Sequence, residues 1–140
     1  MINQSSLEVC LKDLVNSKFP KTQMDVFYKG QVVLHVFNQS DVRTWSFKLP
    51  LHEEGGIVIN LFFNDRKQNN EENHQRFKSS SFSDDFILRK MHRGKISSYY
   101  LPVSKSVSLK NAANDIIEML STVYEIEADE PLEIFVRVYN

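Results

Sequence analysis

The chain has 140 residues, of which 41% are hydrophobic, 25% charged and 11% aromatic, and its formal net charge is -1. Leu, Ile, Val and Phe together supply 44 residues, which is enough apolar surface for one core and excludes intrinsic disorder. The single cysteine excludes an internal disulfide, and the small net charge gives no overall attraction to nucleic acid or to an acidic membrane.

These totals predict one domain that spans residues 1–140. No apolar run approaches the roughly 20 residues that a membrane-spanning helix needs. The first residues, Met1-Ile2-Asn3-Gln4, lack the charged and apolar segments of a secretory leader. We therefore expect a cytoplasmic protein that does not associate with a membrane.

The first predicted element is a helix over about residues 6–18. Ser5 and Glu8 have the spacing of a capping box, in which each side chain bonds the backbone amide of the other residue. Apolar residues then recur at helical spacing, namely Leu7, Leu11, Leu14 and Val15. Pro20 predicts the end of this helix.

Three strands are predicted between residues 24 and 49, because β-branched and aromatic runs alternate with turn-forming residues. The turns fall at Lys29-Gly30 and at residues 38–41. The second strand, residues 31–37, is apolar on nearly both faces and is expected to be central. The third strand is predicted to place four side chains on one face: Arg43, Trp45, Phe47 and Leu49.

A fourth strand is predicted over residues 57–63, which are apolar at almost every position. Polarity then rises, and residues 64–81 contain only one aromatic side chain, that of Phe77. This segment is predicted to be a polar loop. Loops of this length inside a compact domain are usually functional or disordered.

A hairpin is predicted from residues 86–91 and 96–103, with Gly94 supplying the positive φ of its turn. A second helix begins at Ser106 or Ser108 and runs to about Tyr124. Its apolar stripe is wide enough to pack on a sheet and consists of Leu109, Ala112, Ala113, Ile116, Ile117, Leu120 and Val123. Residues 132–139 alternate as a last strand.

The order of these elements shows no strict β-α-β alternation and no internal repeat. It predicts a single α+β domain with a mostly antiparallel sheet of about six to seven strands, packed with an N-terminal and a C-terminal helix. The element order resembles that of small secretion chaperones and of many immunity and phage-accessory proteins. A likeness of this kind does not by itself specify a function.

No assembled catalytic, metal or cofactor motif is found. The four glycines lack the spacing of a phosphate-binding loop, and the histidines at 35, 52, 74 and 92 lack the spacing of a metal site. His35 is interpreted as a strand residue with a hydrogen-bond partner, and Cys10 as a small buried side chain. The sequence therefore predicts neither a cofactor nor a metal, and favours a protein that is not an enzyme.

A metal-dependent nuclease is a less favoured alternative. Such enzymes often hold their metal with a carboxylate and place a lysine beside the phosphate, and Asp65 and Lys67 have that spacing. Glu53 and Glu54 precede them by about ten residues. The pair falls at or beyond a strand end and encloses Arg66 instead of an apolar residue, so a solvated loop is the better interpretation.

A basic stretch offers nucleic-acid binding as a second hypothesis. Residues 76–95 contain six Lys and Arg against two Asp: the cations are Arg76, Lys78, Arg89, Lys90, Arg93 and Lys95. The neighbouring rings, which could stack on bases, are those of Phe77, Phe82, Tyr99 and Tyr100. Against this, adjacent residues of one strand point to opposite faces, so Arg89 and Lys90 cannot share a surface.

The C-terminal region offers the leading hypothesis, a protein-binding domain. Five acidic residues, Glu125, Glu127, Asp129, Glu130 and Glu133, could face a basic partner or another copy. If the last strand lies at a sheet edge, Phe135, Arg137 and Tyr139 would contact a partner strand. We expect an adaptor, an inhibitor-like or chaperone-like factor, or an assembly subunit, with a protein partner or self-association.

Overall fold

A computed structural model describes residues 4–19, 21–49, 53–64, 68–91, 93–127 and 129–139. The helices are α1 (Gln4–Val15), α2 (Gln68–Lys78) and α3 (Leu109–Tyr124), and two 3-10 helices span Val42–Phe47 and Ser81–Asp85. The strands are β1 (Thr22–Tyr28), β2 (Gln31–Asn38), β3 (Ile57–Asn64), β4 (Ile87–Met91), β5 (Ile96–Val103) and β6 (Glu133–Val138).

The six strands form one antiparallel sheet in the order β4-β5-β3-β2-β1-β6. The predicted single α+β domain is confirmed, and its N-terminal and C-terminal helices pack on the sheet as expected. The strand β6 pairs with β1 alone and therefore lies at one edge, while β4 lies at the other. Among the described helices, none is long and apolar enough to cross a membrane.

The three helices cover one face of the sheet, which we call the helix face. Alternate residues of the central strands point to it and are fully buried, among them Met24, Leu34, Ile59 and Phe63. Each such apolar side chain contributes about 1.5–3 kcal/mol when it leaves water. The helix α3 closes this core: it begins where the Ser108 hydroxyl accepts from the Asn111 amide at 3.1 Å, as the sequence predicted.

The predicted third strand is wrong, because residues 42–47 form a 3-10 helix. Asp41 explains the difference: its side chain accepts from the Arg43 amide at 2.9 Å, and its carbonyl accepts from the Thr44 amide at 3.0 Å. Local bonds of this kind compete with a strand ladder. The chain therefore turns over the face opposite the helices, the open face, where Phe47 stacks on Tyr100 at 4.3 Å.

The predicted polar loop over residues 64–81 is also wrong, because most of it is α2. Two buried side chains hold this helix to the core. Phe77 packs beside Phe63, and the His74 ring stacks on Phe63 at 4.7 Å while its Nε2 lies 2.7 Å from the Tyr99 hydroxyl. His74 therefore helps to hold α2 against the core. Because histidine does not count as an apolar residue, the apolar pattern of the sequence did not predict this helix.

The other predicted elements are confirmed with shifted ends. The helix expected over residues 6–18 is α1, which begins at Gln4, so Ser5 lies inside it and not at its cap. The strand predicted over residues 57–63 is β3, the hairpin is β4–β5 with φ of 84° at Gly94, and the last strand is β6.

Candidate functional site

A network of polar side chains lies on the open face where β2, β1 and β6 meet, and we call it the open-face network. It consists of Gln23, Asp25, His35, Asp41, Arg43 and Tyr139. Asp25 is at its centre and is only 3% exposed. The sheet places it there, because Asp25 is paired with His35 on one side and with Phe135 on the other.

The Asp25 carboxylate accepts three hydrogen bonds. Gln23 Nε2 and His35 Nδ1 each lie 2.6 Å from its Oδ1, and the Tyr139 hydroxyl donates to its Oδ2 at 2.9 Å. Burial by itself raises the pKa of Asp25, but the hydrogen bonds from His35, Gln23 and Tyr139 outweigh it and lower that pKa below its ordinary value. Asp25 is therefore ionised inside the fold, and burial together with this carboxylate raises the pKa of Tyr139.

Arg43 joins this centre to the first 3-10 helix. Its guanidinium forks onto Asp41 at 2.5–3.0 Å and donates to Gln23 Oε1 at 3.0 Å. The same group lies over the rings of Tyr139 and Phe37, at 5.1 and 5.5 Å from their centroids. Arg43 thus fixes the 3-10 helix and the end of β6 to the same point of the sheet.

The hydrogen bonds of the network join the sheet, the end of β6 and the first 3-10 helix. An aspartate that orients a histidine is one part of a catalytic triad, but no serine or cysteine is bonded to His35 in the part of the chain that the structure describes. The His35 ring instead stacks on Phe62 at 5.1 Å. Among the described residues, no group of three or more His, Cys, Asp or Glu side chains is placed to hold a metal ion.

Beside the network lies the outer edge of β6, which we call the β6 edge. The Tyr139 amide donates to the Lys21 carbonyl at 2.7 Å, so the backbone groups of odd-numbered residues face β1. Those of Ile134, Val136 and Val138 face outward, and no other described strand pairs with them.

The exposed side chains of β6 are apolar at Phe135 and Val138, on opposite faces of the strand, and charged at Glu133 and Arg137. Phe135 and Val138 are 38% and 50% exposed. The Arg137 guanidinium lies 4.6 Å from the ring centroid of Phe135 and 5.6 Å from that of Phe27, and the two rings meet edge to face at 5.6 Å. Of the residues predicted at an edge, Phe135 and Arg137 thus lie on the open-face side of the edge strand β6, and Tyr139 follows its last residue.

The predicted basic residues are spread over several surfaces. Arg76 donates to the Val123 carbonyl at 2.8 Å, and Arg89 donates to the Phe47 and Lys48 carbonyls at 2.9 and 3.0 Å. The remaining cations are placed as follows: Lys90 donates to Ser97 Oγ at 2.7 Å, Lys78 is exposed at the end of α2, and Arg93 and Lys95 lie in the β4–β5 turn. Arg89 is paired with Ser98 and Lys90 with Ser97, so the two cations point to opposite faces of β4.

The nuclease residues Asp65, Arg66 and Lys67 lie outside the described residues, as do His52 and His92. Of the predicted carboxylates, Glu54 is exposed, and Glu53 accepts from Ser104 at 3.2 Å. Two interpretations can be compared directly with the structure. His35 is a strand residue with a hydrogen-bond partner, as predicted, and Cys10 is partly buried against the core.

Sequence reasoning missed the open-face network. A tight turn at Lys29-Gly30 predicts a register in which Asp25 lies opposite Leu34. The strand pairing shifts between Val26 and Phe27, and this bulge brings Asp25 opposite His35 instead. The available signal was the pair of polar residues Gln23 and Asp25 inside an otherwise apolar strand.

Comparisons of the chain with protein-family models, with curated proteins and with solved structures find no match. The resemblance to secretion chaperones and to immunity and phage-accessory proteins therefore rests on element order alone. The function has to be argued from the geometry of the chain itself.

Proposed function

We propose that this chain is a protein-binding domain that acts by adding a strand of its partner to the β6 edge. The observation that carries the proposal is the row of outward backbone groups on Ile134, Val136 and Val138, beside the exposed Phe135. In strand addition the backbone supplies affinity, and side chains at alternate positions supply specificity.

The β6 edge is held in its binding conformation before a partner arrives. At its C-terminal end Tyr139 is bonded to Asp25 and lies under Arg43, and along its length it is paired with β1 from Thr22 to Phe27. Because the edge is already ordered, binding does not incur the entropy cost of ordering a loop. This gives the open-face network a role: it fixes the edge and needs no reaction of its own.

The surface chemistry also supports a protein partner. Phe135, Phe27 and Arg137 form one contiguous patch, and aromatic and arginine side chains are enriched where protein interfaces are strongest. The nucleic-acid hypothesis has less support, because Arg76 and Arg89 bind backbone carbonyls of the chain itself. An adaptor, an inhibitor-like or chaperone-like factor and an assembly subunit would all use such a docking surface.

Photo-cross-linking in the cells that produce the protein tests the proposal. A benzoylphenylalanine replaces Phe135 on β6 or, as a control of matched exposure, Leu88 on β4; these side chains are 38% and 41% exposed. We expect adducts from position 135 and none from position 88.

The adduct must also depend on the outward backbone. Val136→Pro removes an outward N–H that β1 does not use, whereas Val136→Ala loses side-chain packing but keeps that N–H. We expect the adduct to disappear with Val136→Pro and to persist with Val136→Ala. Absence of any adduct at position 135, or an adduct that survives Val136→Pro, would overturn the proposal.

A further inference from the structure

We infer that the strand added to the β6 edge is β6 of a second copy of this chain, antiparallel and centred on Phe135, so that the two sheets become one. This inference rests on the proposed function and names its partner. It depends on two properties of β6: the direction of its backbone groups and the positions of its two charges.

The backbone directions limit the ways in which β6 can pair with itself. Only Ile134, Val136 and Val138 present outward amides and carbonyls, so these residues must meet one another across the seam. The symmetric arrangements that satisfy this are centred on one of the five residues from Ile134 to Val138. In the one centred on Phe135, Ile134 of each copy exchanges both hydrogen bonds with Val136 of the other.

The two charges of β6 select among these arrangements. Glu133 and Arg137 lie four residues apart on one strand face, a distance of about 13 Å at the usual rise, so they cannot bridge within one copy. Centring on Phe135 places each Glu133 directly opposite Arg137 of the other copy. The resulting positions are not hydrogen-bonded pairs, and in such pairs opposite side chains approach most closely.

The apolar side chains match in the same arrangement. Phe135 meets its own copy at the two-fold axis, and Ile134 meets Val136 on the helix face. The symmetry is isologous, so the contact closes after two copies and leaves no open-ended chain. The exposed side chain of Val138, which has a neighbouring strand only on its β1 side in one copy, would face Leu132 of the other.

The other arrangements lose the charge match. Centring on Ile134 places Glu133 opposite Phe135 of the second copy. Centring on Val136 places Arg137 opposite Phe135 and Glu133 opposite Tyr139. Centring on Arg137 or on Val138 leaves Glu133 beyond the end of the facing β6. Only the Phe135-centred arrangement places each Glu133 opposite an Arg137.

Charge exchange tests this register. Glu133→Arg puts two cations opposite each other at both ends of the seam, and Arg137→Glu puts two carboxylates there. Each variant should dissociate with a dimer Kd about tenfold to a hundredfold weaker than that of the parent chain, measured by sedimentation equilibrium. Circular dichroism confirms that each variant is folded.

The decisive result comes from mixing the two variants. A Glu133→Arg chain and an Arg137→Glu chain present complementary charges to each other at both ends, so the mixture should form a heterodimer near the affinity of the parent. The Glu133→Arg, Arg137→Glu double variant should likewise recover self-association. Failure of both recoveries overturns the register, as does a single variant that dimerises as tightly as the parent.

The cross-linking experiment at position 135 separates this inference from the proposed function. An adduct of twice the 16.4 kDa chain mass supports both. If the adduct contains a different protein and the purified parent is monomeric at micromolar concentration, the second copy is excluded while strand addition stands. If no adduct forms, both fail.

Discussion

The two edges of the sheet expose similar amounts of apolar surface but are protected very differently. The exposed large apolar side chains are Leu88 and Met91 on β4, and Phe135 and Val138 on β6. The two strands have five and six residues, but β4 carries two adjacent cations at its centre, whereas the two charges of β6, Glu133 and Arg137, stand on either side of an uncharged centre. Charged residues are a usual means of preventing an edge from pairing.

The cations of β4 are also bonded to its own fold. Arg89 donates to the carbonyls of Phe47 and Lys48, which brings the end of the first 3-10 helix against this edge. The cation of β6 is placed differently: Arg137 lies over the rings of Phe135 and Phe27. The comparison indicates that exposure alone does not identify a docking edge; the placement of charge does.

The largest effect is expected from proline on the two sides of β6. Arg137→Pro removes an amide that faces β1 opposite Gln23, so it should lower the free energy of unfolding by about 2–4 kcal/mol relative to Arg137→Ala. Val136→Pro removes an outward amide and should cost far less stability while abolishing association. Urea denaturation and sedimentation measure the two effects, and equal losses of stability from both prolines would contradict the assigned backbone directions.

A lysine at the centre of β6 should make this edge resemble β4 and weaken association. Phe135→Lys places a cation at the proposed two-fold axis and should weaken association by about thirtyfold to a hundredfold. Leu88→Lys on β4, a site of similar exposure, should leave the dimer Kd unchanged. Sedimentation equilibrium checks both, and an equal effect of the two lysines would show that the edges do not differ.

Removing the β4 guanidinium should affect stability without affecting association. Arg89→Ala leaves the Phe47 and Lys48 carbonyls without their donor and should cost about 1–2 kcal/mol of unfolding free energy, while the dimer Kd stays that of the parent. Lys95, in the β4–β5 turn, provides a control: Lys95→Ala should change neither quantity. A weaker dimer in Arg89→Ala would place β4 in the interface.

The smallest effect is expected from lowering the pH, which protonates Asp25 and weakens the bond that holds Tyr139 at the end of β6. The pKa of Asp25 is lowered from the ordinary value of 3.8, so its contribution to the free energy of unfolding is complete above that pH and is lost as the pH falls through the lower, folded-state value. Protonation also weakens the bond from Tyr139. The free energy of unfolding, measured by denaturation between pH 2 and 6, should depend less on pH in Asp25→Asn than in the parent chain. An identical dependence in both would contradict the lowered pKa of Asp25.

Much of the fold could be predicted from the sequence, because most strands and two helices carry their own apolar periodicity. The structure of residues 42–47 could not be predicted, because their alternating pattern is typical of a strand. The hydrogen bonds of Asp41 stabilise a 3-10 helix there instead. The helix α2 could not be predicted either, because its burial depends on His74 stacking against Phe63 from a distant strand.

The candidate site was partly predictable. Alternation identified Phe135, Arg137 and Tyr139 as a possible edge contact; Phe135 and Arg137 lie on an edge strand, and Tyr139 directly follows it. Strand order depends on long-range pairing, which no local pattern reveals. The same holds for Asp25, whose partner His35 is determined by a bulge in the β1–β2 pair.

Residue-resolved amide hydrogen exchange along β6, measured from dilute to concentrated solution, tests the central claim most directly. The amides of Phe135 and Arg137 face β1 and should be protected at every concentration. Those of Ile134 and Val136 should exchange rapidly in dilute solution, gain protection as the chain associates, and fail to gain it in Glu133→Arg. If Ile134 and Val136 exchange rapidly at all concentrations while the chain associates, the β6 edge is not the docking surface.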